Sequence, residues 1–71
     1  MAGDTDFNTT VLLYKVPDAM RMLNMSKWTI YDQMRRGRLR SVSQGRARLI
    51  PASAIRDYVD LLQREAQDDV A

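Results

Sequence analysis

Seven cations lie close together in the centre of this sequence, and they are its most chemically capable side chains. Between positions 27 and 48 the only acid is Asp32, so this segment carries a net charge of +6, whereas the whole chain carries +2. Six of the seven cations are arginines, whose planar guanidinium groups suit phosphate oxygens and guanine edges. A solvated polar face would also account for charged residues, but a basic centre between acidic flanks favours a surface that binds nucleic acid. The seven are Lys27, Arg35, Arg36, Arg38, Arg40, Arg46 and Arg48.

Catalytic and metal-binding chemistry finds little support in the composition. The chain has no cysteine and no histidine, which removes the thiolate ligands of structural zinc and the commonest general base. Tyr14, Tyr31 and Tyr58 are candidate nucleophiles for a recombinase, but that reaction needs activating groups around the tyrosine and a cavity that a short chain does not build. The sequence therefore predicts a protein that is not an enzyme and that uses no cofactor and no metal.

The length of 71 residues allows one small domain. A chain of this size buries only about 60% of the surface that its unfolded form exposes. The first ten residues lack the apolar run of a signal peptide, and no segment reaches the roughly 20 apolar residues of a membrane span. We expect a cytoplasmic protein with no membrane partner, a mobile tail at residues 1–10, a folded domain at residues 11–66 and a frayed tail at residues 67–71.

Two short helices are expected after a brief strand at residues 11–14. Apolar side chains recur at helical spacing over residues 16–23, and Asn24 tolerates the left-handed conformation that ends a helix. Ser26 is a suitable N-cap for a second helix over residues 27–36. The three-residue turn between the two helices predicts a helix-turn-helix.

The second helix is expected to turn its polar side toward a partner. Ile30 and Met34 are four residues apart on its inner face, and a step of 100° per residue directs Trp28, Asp32 and Arg35 away from the core. For Trp28 two alternatives remain: its ring packs on a DNA sugar or a thymine methyl group, or it folds back onto the first helix as core. For Arg35 the alternative to a DNA contact is a solvent-exposed arginine that favours a helix C-terminus by itself.

A β-hairpin is predicted from two extended runs, residues 39–43 and 46–50. The turn is expected at Gln44-Gly45, and glutamine in the first turn position favours a glycine bulge over an ideal two-residue turn. The buried contacts of the hairpin are expected from Leu39, Val42 and Ile50, while its cations project outward. Such a hairpin is a wing.

A third helix is predicted from Ala52 to Ala66, because Pro51 holds the residue before it in an extended conformation. Leu61 lies beside the buried stripe of this helix and either widens that stripe or forms part of a protein contact. The fold class is therefore mainly α with a small β-hairpin: a winged helix-turn-helix of three helices and a two-stranded wing. The buried stripe is expected to comprise Ile55, Tyr58, Val59, Leu62 and Ala66.

Six segments are typical of one family: residues 13–20 (LYKVPDAM), 23–26 (LNMS), 28–31 (WTIY), 36–39 (RGRL), 45–51 (GRARLIP) and 54–59 (AIRDYV). In order and spacing they resemble the excisionase-type branch of the MerR-like winged helix-turn-helix family, from Leu12 to Leu62. Lys15 stands where relatives have a threonine cap, Asp32 where a basic residue is common, and Trp28 where a small residue is usual. The base preference of relatives is therefore not carried over.

This resemblance implies a recombination directionality factor of a phage or other mobile element. Such a protein binds adjacent DNA sites cooperatively, bends the DNA and biases an integrase toward excision. The implied partners are double-stranded DNA, a phage integrase and further copies of the chain on DNA, in the nucleoid of a bacterial host. We expect a monomer when the protein is free. The alternative is a small MerR-like transcriptional regulator, a type that usually carries a long dimerisation helix, for which the predicted last helix ends too early.

Helix-turn-helix proteins lay the second helix in the major groove, with its first residues at base edges. Asp32 is expected to accept from a cytosine amino group or to repel phosphates, and Arg46 to enter the minor groove, where narrow A/T-rich stretches concentrate negative potential. From the recognition helix, contacts are expected from Ser26, Lys27, Trp28, Thr29, Tyr31, Asp32, Arg35 and Arg36. From the wing, contacts are expected from Arg38, Arg40, Gly45, Arg46 and Arg48.

Overall fold

The computed structural model describes the backbone of residues 11–70 and the side chains of residues 11–68, so the tail expected at residues 1–10 and Ala71 lie outside it. Three helices and three short strands confirm the winged helix-turn-helix. No helix within residues 11–70 is both long and apolar enough to cross a membrane. In chain order the elements are β1 (Leu13–Lys15), α1 (Val16–Leu23), α2 (Lys27–Arg35), β2 (Val42–Gln44), β3 (Ala47–Pro51) and α3 (Ala52–Val70).

The sheet has three strands, because β1 pairs with the wing rather than standing alone. The strand order is β1-β3-β2, and both pairings are antiparallel. Tyr14 of β1 lies opposite Ile50 of β3, whose side chain is fully buried. The backbone N–H of Ala52 also donates to the carbonyl oxygen of Leu12 at 2.9 Å. A two-stranded hairpin alone is marginally stable in water, so the third strand secures the base of the wing.

The caps of α1 and α2 are those that the sequence predicts. Asn24 ends α1 in the left-handed conformation with φ of 55°, and the Oγ of Ser26 accepts from the backbone N–H of Thr29 at 3.2 Å. Lys15, as expected, supplies no side-chain cap to α1. Ala19 is fully buried, which lets α1 and α2 approach closely across their turn.

The turn of the wing lies one residue later than predicted. Gln44 pairs with Ala47, so the loop consists of Gly45 and Arg46 alone. Gly45 has φ of +60°, and Arg46 is not among the described residues with positive φ. This is the pattern of a two-residue type II′ turn with glycine first. The predicted glycine bulge is therefore wrong, because Gln44 remains in the strand and the turn does not need it.

Val42 is exposed, contrary to expectation. Its side chain is 42% accessible, and it pairs with Leu49 on the outer face of the sheet. Ile50, the next residue along β3, points to the opposite face because side chains alternate along a strand. Leu39 is buried as predicted, but it lies in the irregular segment before β2, so its position sets no register for Val42.

The last helix is longer than predicted and buries a slightly different stripe. α3 continues to Val70, past the expected end at Ala66 and through residues expected to fray. Val59 is 37% accessible and Ala66 is exposed, so their expected burial is wrong. Leu61 packs against the core and so widens the buried stripe, the first of its two alternatives. The core of the described residues comprises Val16, Ala19, Ile30, Leu39, Ile50, Ala54, Ile55 and Tyr58.

Candidate nucleic-acid interface

One side of α2 faces outward near the start of the helix. Trp28 is 71% accessible and Tyr31 is 39% accessible, so the alternative in which Trp28 folds back onto α1 as core is wrong. Lys27, Tyr31 and Arg35 follow one another at four-residue spacing, which places them on one stripe of the helix. Ile30, on the opposite side, is fully buried and fixes the orientation of that stripe.

The recognition helix and the wing meet at a groove of about 260 Å³ lined by Tyr31, Met34, Arg35 and Arg48. The Nη1 of Arg48 donates to the Oγ of Ser41 at 3.2 Å, which ties the arginine to the segment before β2. Helix and wing therefore form one continuous surface that carries a cation on each side. Ser41 was not among the expected site residues, since nothing in its spacing reveals a partner seven residues away across the hairpin.

Contrary to expectation, Asp32 does not face away from the protein. It is only 8% accessible, and both of its oxygens accept from arginines: Oδ1 from Nη2 of Arg35 at 2.8 Å and Oδ2 from Nε of Arg36 at 2.9 Å. The reason is helical spacing, because residues three and four positions further on lie over the same face. The hydrogen bond from Arg36, with that from Arg35, holds the pKa of Asp32 below its ordinary value, although burial opposes the shift. Both oxygens of the carboxylate therefore already accept a hydrogen bond within the protein, and the expected contact of Asp32 with a base remains a prediction.

Arg38 precedes the wing strands in the chain. Its side chain binds other residues of the domain. Its two terminal nitrogens donate to the two oxygens of Glu65, both at 2.7 Å, and its Nε donates to Oε1 of Gln33 at 2.6 Å. The same Gln33 oxygen accepts from the hydroxyl of Tyr58 at 3.0 Å. Arg38 thus ties α2 to α3, and its expected contact with DNA remains a prediction.

This polar cluster shifts the pKa of its members. The hydrogen bond from Arg38 lowers the pKa of the Glu65 carboxyl, and the same contact raises the pKa of Arg38. Burial raises the pKa of the Tyr58 hydroxyl, against the opposing charge of Arg38. Each group is held in the protonation state in which it makes its contact near neutral pH.

Arg40 also has an acidic partner on α3. Its Nη2 donates to Oδ2 of Asp57 at 2.6 Å, and both side chains are exposed, at 59% and 68%. Such an exposed pair is weakly held and is screened by salt, so Arg40 can exchange Asp57 for a phosphate at little cost. Its expected contact with DNA remains a prediction.

The remaining expected residues occupy the ends of α2 and the tip of the wing. Within the described residues, Lys27, Arg46 and Arg48 form no ion pair. The hydroxyls of Ser26 and Thr29 lie 2.9 Å apart at the start of α2. Gly45 sits at the wing turn, and a Cβ built there would have no heavy atom within 4 Å.

Ion pairing reduces the charge of the interface but does not remove it. Two of the seven central cations, Arg38 and Arg40, are paired with acids of α3. Five cations and Asp32 remain, which is a net charge of +4. We call these five cations the basic face: Lys27, Arg35, Arg36, Arg46 and Arg48. No cluster of acidic residues within the described part of the chain could hold a metal ion.

Comparison with known proteins agrees with this geometry. A family model described as a helix-turn-helix domain matches residues 13–60, which run from the start of β1 into α3. Comparisons with curated proteins and with solved structures found no match.

Proposed function

The chain belongs to the helix-turn-helix domain family and is a DNA-binding protein, and from this premise we propose that it is an architectural, sequence-specific factor of the excisionase type. In this role it binds adjacent sites near the attachment region of a phage or other mobile element, bends the DNA and biases an integrase toward excision. The cooperative and integrase-directed parts of the proposal come from the resemblance described above.

One observation carries the proposal: Arg35 of α2 and Arg48 of the wing line the same groove. In the proposed complex α2 lies in the major groove with Lys27 and Trp28 toward the base edges, as in other helix-turn-helix proteins. The wing then reaches the adjacent minor groove, where Arg46 at its tip meets the negative potential of narrow A/T-rich stretches. A bend toward the protein would bring the backbone beside the wing into contact, and this is the bend that we propose.

The charge of the basic face supports docking on the DNA backbone. Each phosphate neutralised by a cation releases counterions and contributes a slope of about −0.9 to the dependence of log affinity on log salt. Bending a site of 20–30 base pairs costs on the order of 1–6 kcal/mol. The extra wing contacts that bending permits offset this cost.

We also propose that the free protein is a monomer and that copies associate only on DNA. The support is that the large apolar side chains exposed within residues 11–68 are spread along the chain rather than confined to one element: Leu12 just before β1, Leu13 on β1, Met22 on α1, Trp28 and Tyr31 on α2, Val42 on β2 and Val59 on α3. A sedimentation run that found a stable dimer at micromolar concentration would contradict this.

The deciding experiment is a gel-shift titration on tiled fragments of the attachment region, with circularly permuted probes that report bending. We expect a cooperative ladder of shifted species on one fragment, together with an induced bend. A single shifted species on a promoter-proximal palindrome without bending would identify a small transcriptional regulator instead. The absence of any sequence-dependent shift at low salt would contradict specific DNA binding altogether.

A further inference from the structure

We propose that Asp32 is a positioning residue for DNA recognition, which holds the guanidinium groups of Arg35 and Arg36 in the orientation in which they meet DNA. The proposal rests on the DNA-binding function proposed above. It assigns a purpose to the one acid in the basic centre of the chain, and it gives Asp32 a role opposite to that of a repulsive charge.

The Asp32 carboxylate binds two arginines at once. Each oxygen of Asp32 accepts from a different guanidinium, at 2.8 and 2.9 Å. Both arginines are therefore restrained by a charge-assisted hydrogen bond, which is shorter and stronger than a neutral one. Arginine side chains otherwise lose much rotamer freedom when a partner immobilises them, and here much of that freedom is already lost in the free protein.

This restraint leaves most N–H donors of both arginines free to bind DNA. A guanidinium carries five N–H donors. Arg36 gives up only its Nε–H, so both of its terminal nitrogens stay free, and Arg35 gives up a single N–H of Nη2. Each arginine can still present a pair of parallel donors to a phosphate or to the O6 and N7 acceptors of guanine.

The acid is buried and its two cations are exposed. The Asp32 side chain is 11% accessible, whereas those of Arg35 and Arg36 are 71% and 65% accessible. The acid lies beneath its two cations, so an approaching duplex meets positive charge first. An exposed acid at this position would repel the phosphates, and a buried one orients their partners.

A simpler role for Asp32 is to stabilise α2 through pairs at three- and four-residue spacing. That role affects the stability of the helix but does not distinguish one DNA sequence from another. Preorganisation acts on contacts made only when the arginines reach their targets in register. The two roles therefore differ in whether Asp32 changes the ratio of specific to nonspecific affinity.

The test compares wild type with Asp32→Asn on two probes. One is the shortest attachment-region fragment that the wild type shifts, and the other is a random-sequence duplex of the same length at the same salt concentration. Removal of a negative charge leaves the affinity for random DNA unchanged or raises it. Loss of preorganisation should lower the affinity for the specific fragment. We therefore expect the ratio of specific to random affinity to fall about tenfold, because two arginine side chains must then be ordered on binding.

Two further variants make the result unambiguous. The double variant Arg35→Lys with Arg36→Lys keeps every charge but replaces the two planar forks. Its ratio should fall, and an unchanged ratio overturns the inference even if Asp32→Asn fails to fold, because Asp32 would then have no recognition fork to orient. The control Asp57→Asn removes an acid whose partner Arg40 is exposed, and it should change both affinities by the same factor. Circular dichroism melts establish that each variant is folded at the assay temperature.

Two further results would overturn the inference while leaving the proposed function intact. One is an Asp32→Asn protein that binds both probes more tightly by the same factor, which would make the acid a repulsive charge only. The other is an unchanged ratio in a folded Asp32→Asn protein whose affinities for both probes are also unchanged, which would leave only helix stabilisation. A wild type that prefers no fragment over random DNA would instead overturn the proposed function, and this inference with it.

Discussion

The individual cations of this domain differ in the side chains that they already bind. Arg38 donates from three nitrogens to Gln33 and Glu65, and its side chain is 31% accessible. Arg35 is 71% accessible and shares one acid with its neighbour. Sequence charge alone therefore does not reveal which of the cations already have a partner within the domain.

Arg35 is the residue whose loss should weaken DNA binding most clearly. We expect Arg35→Ala to cost about 1–3 kcal/mol of binding free energy to the specific fragment, because a fork directed at base or phosphate is lost. Fluorescence anisotropy titrations measure the change. Arg64→Ala removes the same charge from α3, where Arg64 lines a separate groove with Asp60, and it should have a much smaller effect. Equal losses in the two variants would reduce the role of Arg35 to net charge.

At the scale of elements, the position of α2 depends on how the helix begins. Ser26 accepts the otherwise unpartnered N–H of Thr29 and so defines the first turn, which carries Trp28 toward the partner. We expect Ser26→Ala to lower the free energy of unfolding by about 1 kcal/mol, as measured by urea denaturation. Ser53→Ala, on the exposed side of α3, serves as the control and should change stability little. An unchanged midpoint for Ser26→Ala would show that the cap is dispensable.

The wing depends on the backbone conformation of its turn. Gly45 has positive φ but open space around it, so an added methyl group meets no neighbour and the whole cost is conformational. We expect Gly45→Ala to lower the free energy of unfolding by about 1 kcal/mol. A synthetic chain with D-alanine at position 45 should recover that loss, because D-residues prefer positive φ. Equal stability of the L- and D-alanine chains would mean that the wing turn is not formed as described.

At the scale of the whole molecule, a polar cluster joins the recognition helix to the last helix. Gln33 of α2 accepts from both Arg38 and Tyr58, and Arg38 in turn binds Glu65, 27 residues further along the chain. Because Tyr58 is buried among the core residues, the cluster seats α2 on α3 and holds the helix that carries the basic face.

Acid should loosen the domain through its paired carboxylates. The pKa values of Asp32 and Glu65 in the folded state lie below their ordinary values of 3.8 and 4.5. Groups of this kind contribute stability that is fully present above the unfolded-state pKa and is lost as the pH falls through the folded-state pKa. We therefore expect thermal stability to stay level from pH 7 to about pH 5 and to decline below that.

Variants test which carboxylates cause the decline. Glu65→Gln should lower the melting temperature at pH 7 and flatten the acid limb, because the charged partner of Arg38 is gone. Asp60→Asn, on an exposed part of α3, should keep the limb of the wild type. An unchanged acid limb in Glu65→Gln would assign the decline to groups other than this cluster.

Local rules account for the elements that the sequence predicted correctly. The end of α1 at Asn24, the cap at Ser26 and the extended conformation before Pro51 each depend on residues within one turn of the chain, so a single sequence contains the information. The burial of Ile30 and of Ala19 follows from helical spacing in the same way. The outward-facing Trp28 needed the structure, because periodicity alone allowed two directions for its ring.

Contacts between distant residues required the tertiary structure. The sequence determined a basic centre, a helix-turn-helix and a wing, since charge, caps and periodicity act over a few residues. Only the folded chain decided that Glu65 takes Arg38 away from the basic face, that β1 joins the wing and that Val42 faces outward. Each of these depends on which of several acids, strand edges or faces lies nearest once the core is packed, and packing is a property of the whole chain.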